Sequence, residues 1–246
     1  MKLFYPYVLV FSLLFIVIIN GQTHKDFSNI LQRNVTNGLV NYKALKQDQK
    51  FETYLNKLSS TDPSQLTEKD ELAFWINAYN AFILKIIIDN YPLKSINDIK
   101  FGEKSVWDEN FISINKKKHS LNDIEHKILR KMNEPRIHFV IVCASMSCPA
   151  LRNEAYEADK IDQQLQEQTI EFLRDKDKNE FDLKNKTAII SRIFDWFGED
   201  FGESDKEVIK YISTFLAEDV REDINKNLNS WSISYQEYDW NLNEIK

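Results

Sequence analysis

Residues 72–88 have the sequence LAFWINAYNAFILKIII, the longest apolar segment that follows the N-terminal region. The segment contains no Pro or Gly and is apolar on nearly every face, which predicts a central buried helix. Thr67 followed by Asp70 is typical of an N-terminal cap. Tyr91-Pro92 is expected to end the helix, because the residue before a proline disfavours helical geometry.

Two amides interrupt this apolar helix. Asn77 and Asn80 are three residues apart, so both side chains are predicted on one helix face. Buried amides need hydrogen-bond partners, and we expect both to bind groups of the segment 136–148. Two interpretations remain open: structural bonds to loop backbone, or the shaping of a polar site in which the amides stabilise an oxyanion.

A second informative stretch, residues 136–151, has the sequence RIHFVIVCASMSCPAL. Its β-branched and aromatic part, Ile137 to Val142, predicts a short buried strand. Pro149 is of the type favoured at a first helical position, so Cys148 is predicted at the N-cap of a following helix. Unpaired N–H groups and the helix dipole would there favour a thiolate.

Cysteine and histidine together are the minimum for nucleophilic thiol catalysis. We predict Cys148 as the nucleophile, His126 or His138 as the base, and Glu125 or a paired amide as the orienting group. Cys143 follows the apolar run and is predicted to be a small buried hydrophobe. A disulfide between Cys143 and Cys148 stays equally open, because it is the ordinary pairing in an exported chain with two cysteines.

Other chemistries lack their signatures in this sequence. There is no H-x-x-x-H pair or zinc-type spacing, no Gly-rich phosphate loop and no G-x-S-x-G elbow. The formal charge of −6 is spread along the chain, which does not indicate a nucleic-acid partner. We therefore predict no metal, no cofactor and no nucleic-acid partner, and an unknown small-molecule or peptide substrate.

The N-terminus is typical of a secretory signal peptide. Lys2 precedes the apolar run Val8 to Ile19, and the small residue Gly21 follows. We predict a signal peptide at residues 1–21, a mature domain at residues 22–246, and a periplasmic or secreted location. An uncleaved membrane anchor is the alternative, and only then is a membrane partner expected.

The remaining chain favours helices, since Gly and Pro number only five each. Sequence periodicity and turn residues predict further helices and short strands. The fold class predicted is α+β: a single helix-rich domain with a central buried helix packed on a small mixed sheet. The predicted elements are helices 121–132 (capped by Ser120), 161–173 and 208–216, hairpins at 111–120 and 181–190, and an edge strand at 231–235.

Four stretches, in this order, resemble a known family: residues 74–82, 121–126, 136–149 and 191–196, with residues 238–243 similar too. The family is known as domain of unknown function 547. The resemblance covers most of the mature chain but implies no activity. The resemblance marks eight residues in this sequence. Four are the predicted catalytic residues: Glu125, His126, His138 and Cys148. We expect the other four to bind substrate: Asn77, Asn80, Arg136 and Cys143.

Two functions follow as hypotheses. The first is a thiol-dependent hydrolase or acyl transferase that acts on peptide or amide substrates outside the cytoplasm. The second is a non-enzymatic exported binding or structural domain whose cysteines are cross-linked.

Overall fold

A computed structural model describes residues 23–245 of the chain. The predicted signal peptide, residues 1–21, lies outside the described residues. The α-helices of the described part are α1 Lys25–Asn34, α2 Tyr42–Leu45, α3 Gln49–Ser60, α4 Glu68–Asn90, α5 Ile161–Arg174, α6 Ile193–Trp196, α7 Gly198–Phe201, α8 Asp205–Ser213 and α9 Glu218–Asn227.

Shorter helical segments and short strands connect these helices. The 3₁₀ segments are Pro63–Gln65, Ile96–Asp98, Leu129–Met132, Pro135–Phe139 and Leu228–Ser230, and a π-helix spans Asp123–Ile128. The strands are β1 Val35–Thr36, β2 Leu39–Val40, β3 Lys100–Phe101, β4 Lys104–Ser105, β5 Ile112–Ile114, β6 Lys117–His119, β7 Glu180–Asp182, β8 Thr187–Ile190 and β9 Ser232–Tyr235.

Helix α4 is the central buried helix that the apolar segment predicts. The Thr67 hydroxyl caps it by accepting from the Asp70 N–H at 3.3 Å, as the cap motif indicates. Within residues 23–245 it is also the helix long and apolar enough to span a membrane, yet 83% of its most apolar window is buried inside the protein. Its apolar surface is therefore covered by the protein's own core.

The strands form small sheets, which makes the fold α+β as predicted. The hairpins β5–β6 and β7–β8 are antiparallel and match the predicted turns. Strand β9 pairs parallel to β8 at the edge, from Thr187 opposite Ser232 to Ile190 opposite Tyr235. The result is a mixed three-stranded sheet.

The core consists of two hydrophobic clusters. The first surrounds α4, and the second packs the three-stranded sheet against α5 and the helices after it. The segment after Pro135 joins them, since Ile137 is buried in the first cluster and Phe139 in the second. The sheet is thus buried against a Phe-rich cluster of its own, where the Phe194 and Phe201 rings lie 4.9 Å apart.

The predicted strand over Ile137 to Val142 is wrong. The chain forms a 3₁₀ turn from Pro135 to Phe139 and then continues irregularly. The reason is Asn80, whose Nδ2 donates to the Val140 carbonyl and whose Oδ1 accepts from the Val142 N–H, both at 2.9 Å. One buried amide therefore satisfies backbone groups that a neighbouring strand would otherwise pair.

The predicted helix after Cys148 is also wrong. Pro149 begins no helix, and the next one, α5, starts at Ile161. Leu151 instead pairs with Gly38 in an isolated antiparallel bridge. Gly38 has φ of +77°, and a Cβ there would lie 2.6 Å from Ala150. Close approach of the β1–β2 turn thus keeps this part of the chain extended.

The C-terminal segment, residues 238–245, contacts both the N-terminal strands and residues 140–148, which we name the cysteine loop. The Asn243 N–H donates to the Ala144 carbonyl at 3.1 Å, and the Asn243 carbonyl accepts from the Val40 N–H at 2.9 Å. The Tyr42 hydroxyl donates to Asn243 Oδ1 at 2.6 Å. The end of the described chain is thereby part of the structure around Cys143 and Cys148.

Candidate functional site

A cavity of about 160 Å³ lies beside the cysteine loop. Five lining residues that the sequence singles out are named here the titratable wall: Glu125, His126, His138, Cys143 and Cys148. Five lining rings are named the aromatic wall: Trp107, Trp196, Phe197, Tyr238 and Trp240. Residues more than 100 positions apart thus meet around one small space.

The two cysteines are both free thiols in different surroundings. Cys148 is buried, and its sulfur accepts the Cys143 backbone N–H at 2.7 Å. Cys143 is half-buried, and its sulfur lies 3.0 Å from the Ser145 hydroxyl and 3.2 Å from the Tyr238 hydroxyl. The disulfide that the sequence left open is not formed in this structure.

These contacts separate the acidities of the two thiols. Burial alone would raise the pKa of Cys143, but hydrogen bonds from Cys148, Ser145 and Tyr238 outweigh burial and lower the pKa to about 7. Burial and the hydrogen bond to Cys143 raise the pKa of Cys148 well above its usual value. Since the thiolate is the nucleophile, the geometry favours Cys143 over the predicted Cys148.

Backbone strain marks the same loop. Ala144, between Cys143 and Ser145, has φ of +60° and is almost fully buried. This left-handed conformation costs a residue with a Cβ roughly 1–2 kcal/mol. It is held by the hydrogen bond that the Ala144 carbonyl accepts from the C-terminal segment. Strain of this kind is concentrated at functional sites.

Glu125 supplies a carboxyl group inside the cavity. It lies on the π-helix Asp123–Ile128, a rare conformation that is frequent at functional sites. Its Oε2 accepts from the Tyr79 hydroxyl at 3.0 Å. Burial raises the pKa of Glu125 to about 7, even though the Tyr79 hydrogen bond lowers it. The carboxyl group can therefore both donate and accept a proton near neutral pH.

His138 connects Glu125 to a second carboxylate. Its Nε2 lies 2.7 Å from Asp200 Oδ2, and its Nδ1 lies 4.0 Å from Glu125 Oε1. Burial would raise the pKa of Asp200, but hydrogen bonds from Arg130 and His138 hold it below its usual value. Burial lowers the pKa of His138 to about 4, although Asp200 opposes this change. The ionised Asp200 thus accepts the Nε2 proton of a neutral imidazole, which leaves Nδ1 facing Glu125.

His126 has the same tautomer, with its proton on Nε2. Its Nδ1 lies 3.1 Å from an Arg130 guanidinium nitrogen, and a guanidinium can only donate. Nδ1 must therefore accept, and the proton is on Nε2. Neither His126 nor His138 hydrogen-bonds a cysteine sulfur among residues 23–245, so the predicted contact between Cys148 and a histidine is not formed. The same residues contain no group of three or more His, Cys, Asp or Glu side chains that could hold a metal ion.

Three residues predicted to bind substrate lie outside the cavity lining. Asn80 fixes the cysteine loop as described, whereas Asn77 bonds the backbone N–H and carbonyl of Tyr156 at 2.9 and 2.8 Å. The expectation that both amides bind segment 136–148 therefore holds for Asn80 alone. Arg136 forms ion pairs with Glu134 at 2.5 Å and Asp162 at 3.3 Å. All three residues have structural partners here.

The residues that were not predicted as site residues include three of the cavity lining, and Asp200 behind His138. Tyr79 and Asp200 contact Glu125 and His138, while Trp196 and Tyr238 pack with ring centroids 4.7 Å apart. Three of them had a signal, because Tyr79 lies in the resembling stretch 74–82, Trp196 ends the stretch 191–196 and Tyr238 begins the similar stretch 238–243. No local pattern distinguishes Asp200 from its acidic neighbours.

Comparison with known proteins gives one result for part of the chain. Residues 63–173 match the model of the family described as "Protein of unknown function, DUF547". Neither the curated proteins nor the solved structures contain a match to this chain. The matched stretch includes the whole titratable wall and ends before Trp196 and Tyr238. Over these residues the chain resembles the DUF547 family, as the sequence motifs indicate.

Proposed function

We propose that the chain is a thiol-dependent hydrolase or acyl transferase with Cys143 as its nucleophile, acting on amide or ester substrates. The supporting observation is the Cys143 sulfur, half-buried beside an open cavity and hydrogen-bonded by the Ser145 and Tyr238 hydroxyls. Donors aimed at sulfur stabilise its thiolate form. A pKa of about 7 leaves a large fraction ionised at neutral pH while the sulfur stays nucleophilic.

The reaction proceeds through a thioester. The Cys143 thiolate attacks the acyl carbon, so that a C–S bond forms and the C–N or C–O bond to the leaving group breaks. The leaving group takes the proton of the Glu125 carboxyl group. Water, or an acceptor amine or alcohol, then attacks the thioester and gives its proton to the Glu125 carboxylate. The thiolate and the carboxylic acid are thereby restored.

Glu125 suits this role because its pKa is close to the working pH. His138 acts as a positioning residue: Asp200 fixes its tautomer, and its unprotonated Nδ1 faces Glu125. His126 presents its Nε2 proton from the lining of the same cavity. This N–H is a donor for the oxyanion that develops on the substrate.

The test compares the two cysteines. The purified chain is incubated with 4-nitrophenyl butanoate, and release of nitrophenol is followed together with the intact mass of the protein. We expect Cys143→Ala to lose about a thousandfold or more of the activity and the acyl adduct. Cys148→Ala should keep the adduct on Cys143 and lose only about tenfold near neutral pH, because one donor to the sulfur is removed.

Alkylation by iodoacetamide gives an independent readout. Its rate at Cys143 should rise with pH around a midpoint near 7, because only the thiolate reacts. Faster alkylation of Cys148, or full activity in Cys143→Ala, would contradict the proposal. A protein without turnover and without a reactive thiol would instead be a binding domain.

A further inference from the structure

The aromatic wall has a geometry that restricts its ligands. Trp196 lies 5.9 Å from Trp240 with an interplanar angle of 26°, and Tyr238 lies 4.7 Å from both. Trp107 lies 6.5 Å from Trp240. These four rings pack on one another, whereas Phe197 stacks on His138 at 4.3 Å. The four rings form one surface, in contrast to the cages that surround quaternary ammonium ions.

The charge of the lining restricts the ligand further. None of the residues that line the cavity is Lys or Arg. The Arg130 guanidinium lies over the Phe197 ring at 5.6 Å and is occupied by ion pairs with Asp200 and Glu199. A carboxylate or phosphate would therefore enter an apolar space without a cation to balance its charge, at a high desolvation cost.

The size of the cavity sets the third limit. Its volume is about 160 Å³, close to the roughly 150 Å³ of an engineered apolar cavity that holds benzene. One six-membered ring, or a chain of a few carbons, fits this recess, and because the cavity is open the rest of a substrate can extend into solvent. A planar group can lie against the rings in the offset arrangement that aromatic pairs favour.

We propose that the acyl group transferred to Cys143 is uncharged and apolar, is about the size of a benzoyl group, and binds on the aromatic wall. This inference rests on the proposed function, because it identifies the acyl group of that reaction. The packed rings, the missing cation and the small volume all favour the same class of ligand. The missing cation disfavours acyl groups that carry a carboxylate, and the lack of a ring cage disfavours a quaternary ammonium group.

A kinetic experiment compares two esters that differ in one group. The 4-nitrophenyl esters of butanoate and of succinate share their leaving group, and succinate has a carboxylate where butanoate has a methyl group. We expect kcat/KM for the butanoate ester to be at least about tenfold higher. Equal values, or a preference for succinate, would overturn the inference and leave the proposed function in place.

A binding experiment separates the inference from catalysis. Quenching of tryptophan fluorescence is measured in wild type and in Cys143→Ala with benzamide, benzoate and trimethylphenylammonium, because three of the five tryptophans line the cavity. Benzamide should bind, and benzoate should bind at least about tenfold more weakly. Tighter binding of benzoate or of the ammonium ion, or no binding of benzamide, would overturn the inference.

A matched pair of variants localises the ligand. Trp196→Ala should weaken benzamide binding by about tenfold, whereas Phe101→Ala, an exposed ring outside the cavity, should leave it unchanged. Equal effects of the two variants would overturn the assignment to the aromatic wall. If benzamide binds but no ester is hydrolysed, the ligand class is supported and the proposed function fails. The two ideas can therefore fail separately.

Discussion

The two walls of the cavity are stabilised in different ways. The titratable wall is held by buried hydrogen bonds, such as those of Asn80 to the cysteine loop and of Tyr79 to Glu125. The aromatic wall is held by contacts between rings, and Trp196 remains 46% exposed. We infer that changes to the first wall alter stability and proton equilibria, while changes to the second alter ligand affinity.

Glu125→Gln should have the largest effect on stability. The folded-state pKa of Glu125 is about 7, against an ordinary value of 4.5. The folded protein thus binds a proton between these pH values when the unfolded chain does not, so the group lowers stability as pH rises. Relative to wild type, the variant should gain nothing below pH 4.5 and about 3 kcal/mol above pH 7, as measured by urea unfolding across this range.

His138 provides the internal control for that measurement. Its pKa is lowered from 6.5 to about 4, so its contribution to stability rises with pH over this interval and opposes that of Glu125. In Glu125→Gln, the free energy of unfolding should increase with pH between about 4 and 6.5, because only the contribution of His138 remains. A variant whose stability parallels that of wild type at every pH would contradict the raised pKa of Glu125.

Asn80→Leu tests the buried amide that shapes the cysteine loop. Leucine has a similar size but leaves the Val140 carbonyl and the Val142 N–H unpaired. We expect the free energy of unfolding to fall by about 2 kcal/mol. Asn90→Leu, the same change at an exposed position of α4, should stay within about 0.5 kcal/mol of wild type. Equal losses in both variants would show that Asn80 contributes little beyond helix propensity.

Tyr238→Phe removes the hydrogen bond between the Tyr238 hydroxyl of the aromatic wall and the Cys143 sulfur of the titratable wall. Loss of the hydroxyl donor at 3.2 Å should raise the pKa of Cys143 by about 1, equivalent to about 1.4 kcal/mol. The iodoacetamide pH profile measures this change. Tyr211→Phe is the control, because the buried Tyr211 hydroxyl has no hydrogen-bond partner among residues 23–245. An unchanged profile in Tyr238→Phe would remove Tyr238 from thiol activation.

Trp196→Ala should have the smallest effect on stability, within about 0.5 kcal/mol, because the ring is already largely exposed. Its effect should instead be on KM for the butanoate ester, with kcat little changed. Thermal unfolding and steady-state kinetics measure the two quantities. A strong loss of stability would mean that the aromatic wall is also structural, and the distinction between the walls would then fail.

The sequence predicted the elements whose causes are local. Helix α4 follows from its apolar composition and its cap, and the hairpin β7–β8 follows from alternating residues around a turn. The strand prediction for Ile137 to Val142 is wrong because it rests on the β-branched residues alone. The backbone of this segment instead bonds the side chain of Asn80, about 60 positions earlier. Tertiary hydrogen bonds outweighed local propensity at that segment.

The site was predictable only in part for the same reason. The residues of the titratable wall could be selected from the sequence, because cysteine, histidine and glutamate are the types that nucleophilic catalysis needs. The choice between Cys143 and Cys148 depended on Tyr238 and on the burial of each sulfur. Neither follows from local sequence, because pKa values depend on neighbours in space.

The C-terminal segment determines when the thiol can become reactive during biosynthesis. Cys143 and Tyr238 are 95 positions apart in the chain. At about 5–20 residues per second, the ribosome completes Tyr238 roughly 5 to 20 s after Cys143. During this interval Cys143 lacks one of the donors that stabilise its thiolate, and Ala144 lacks the bond from Asn243. The nascent chain therefore carries a less ionised, less nucleophilic cysteine until residues 238–243 have folded onto the loop.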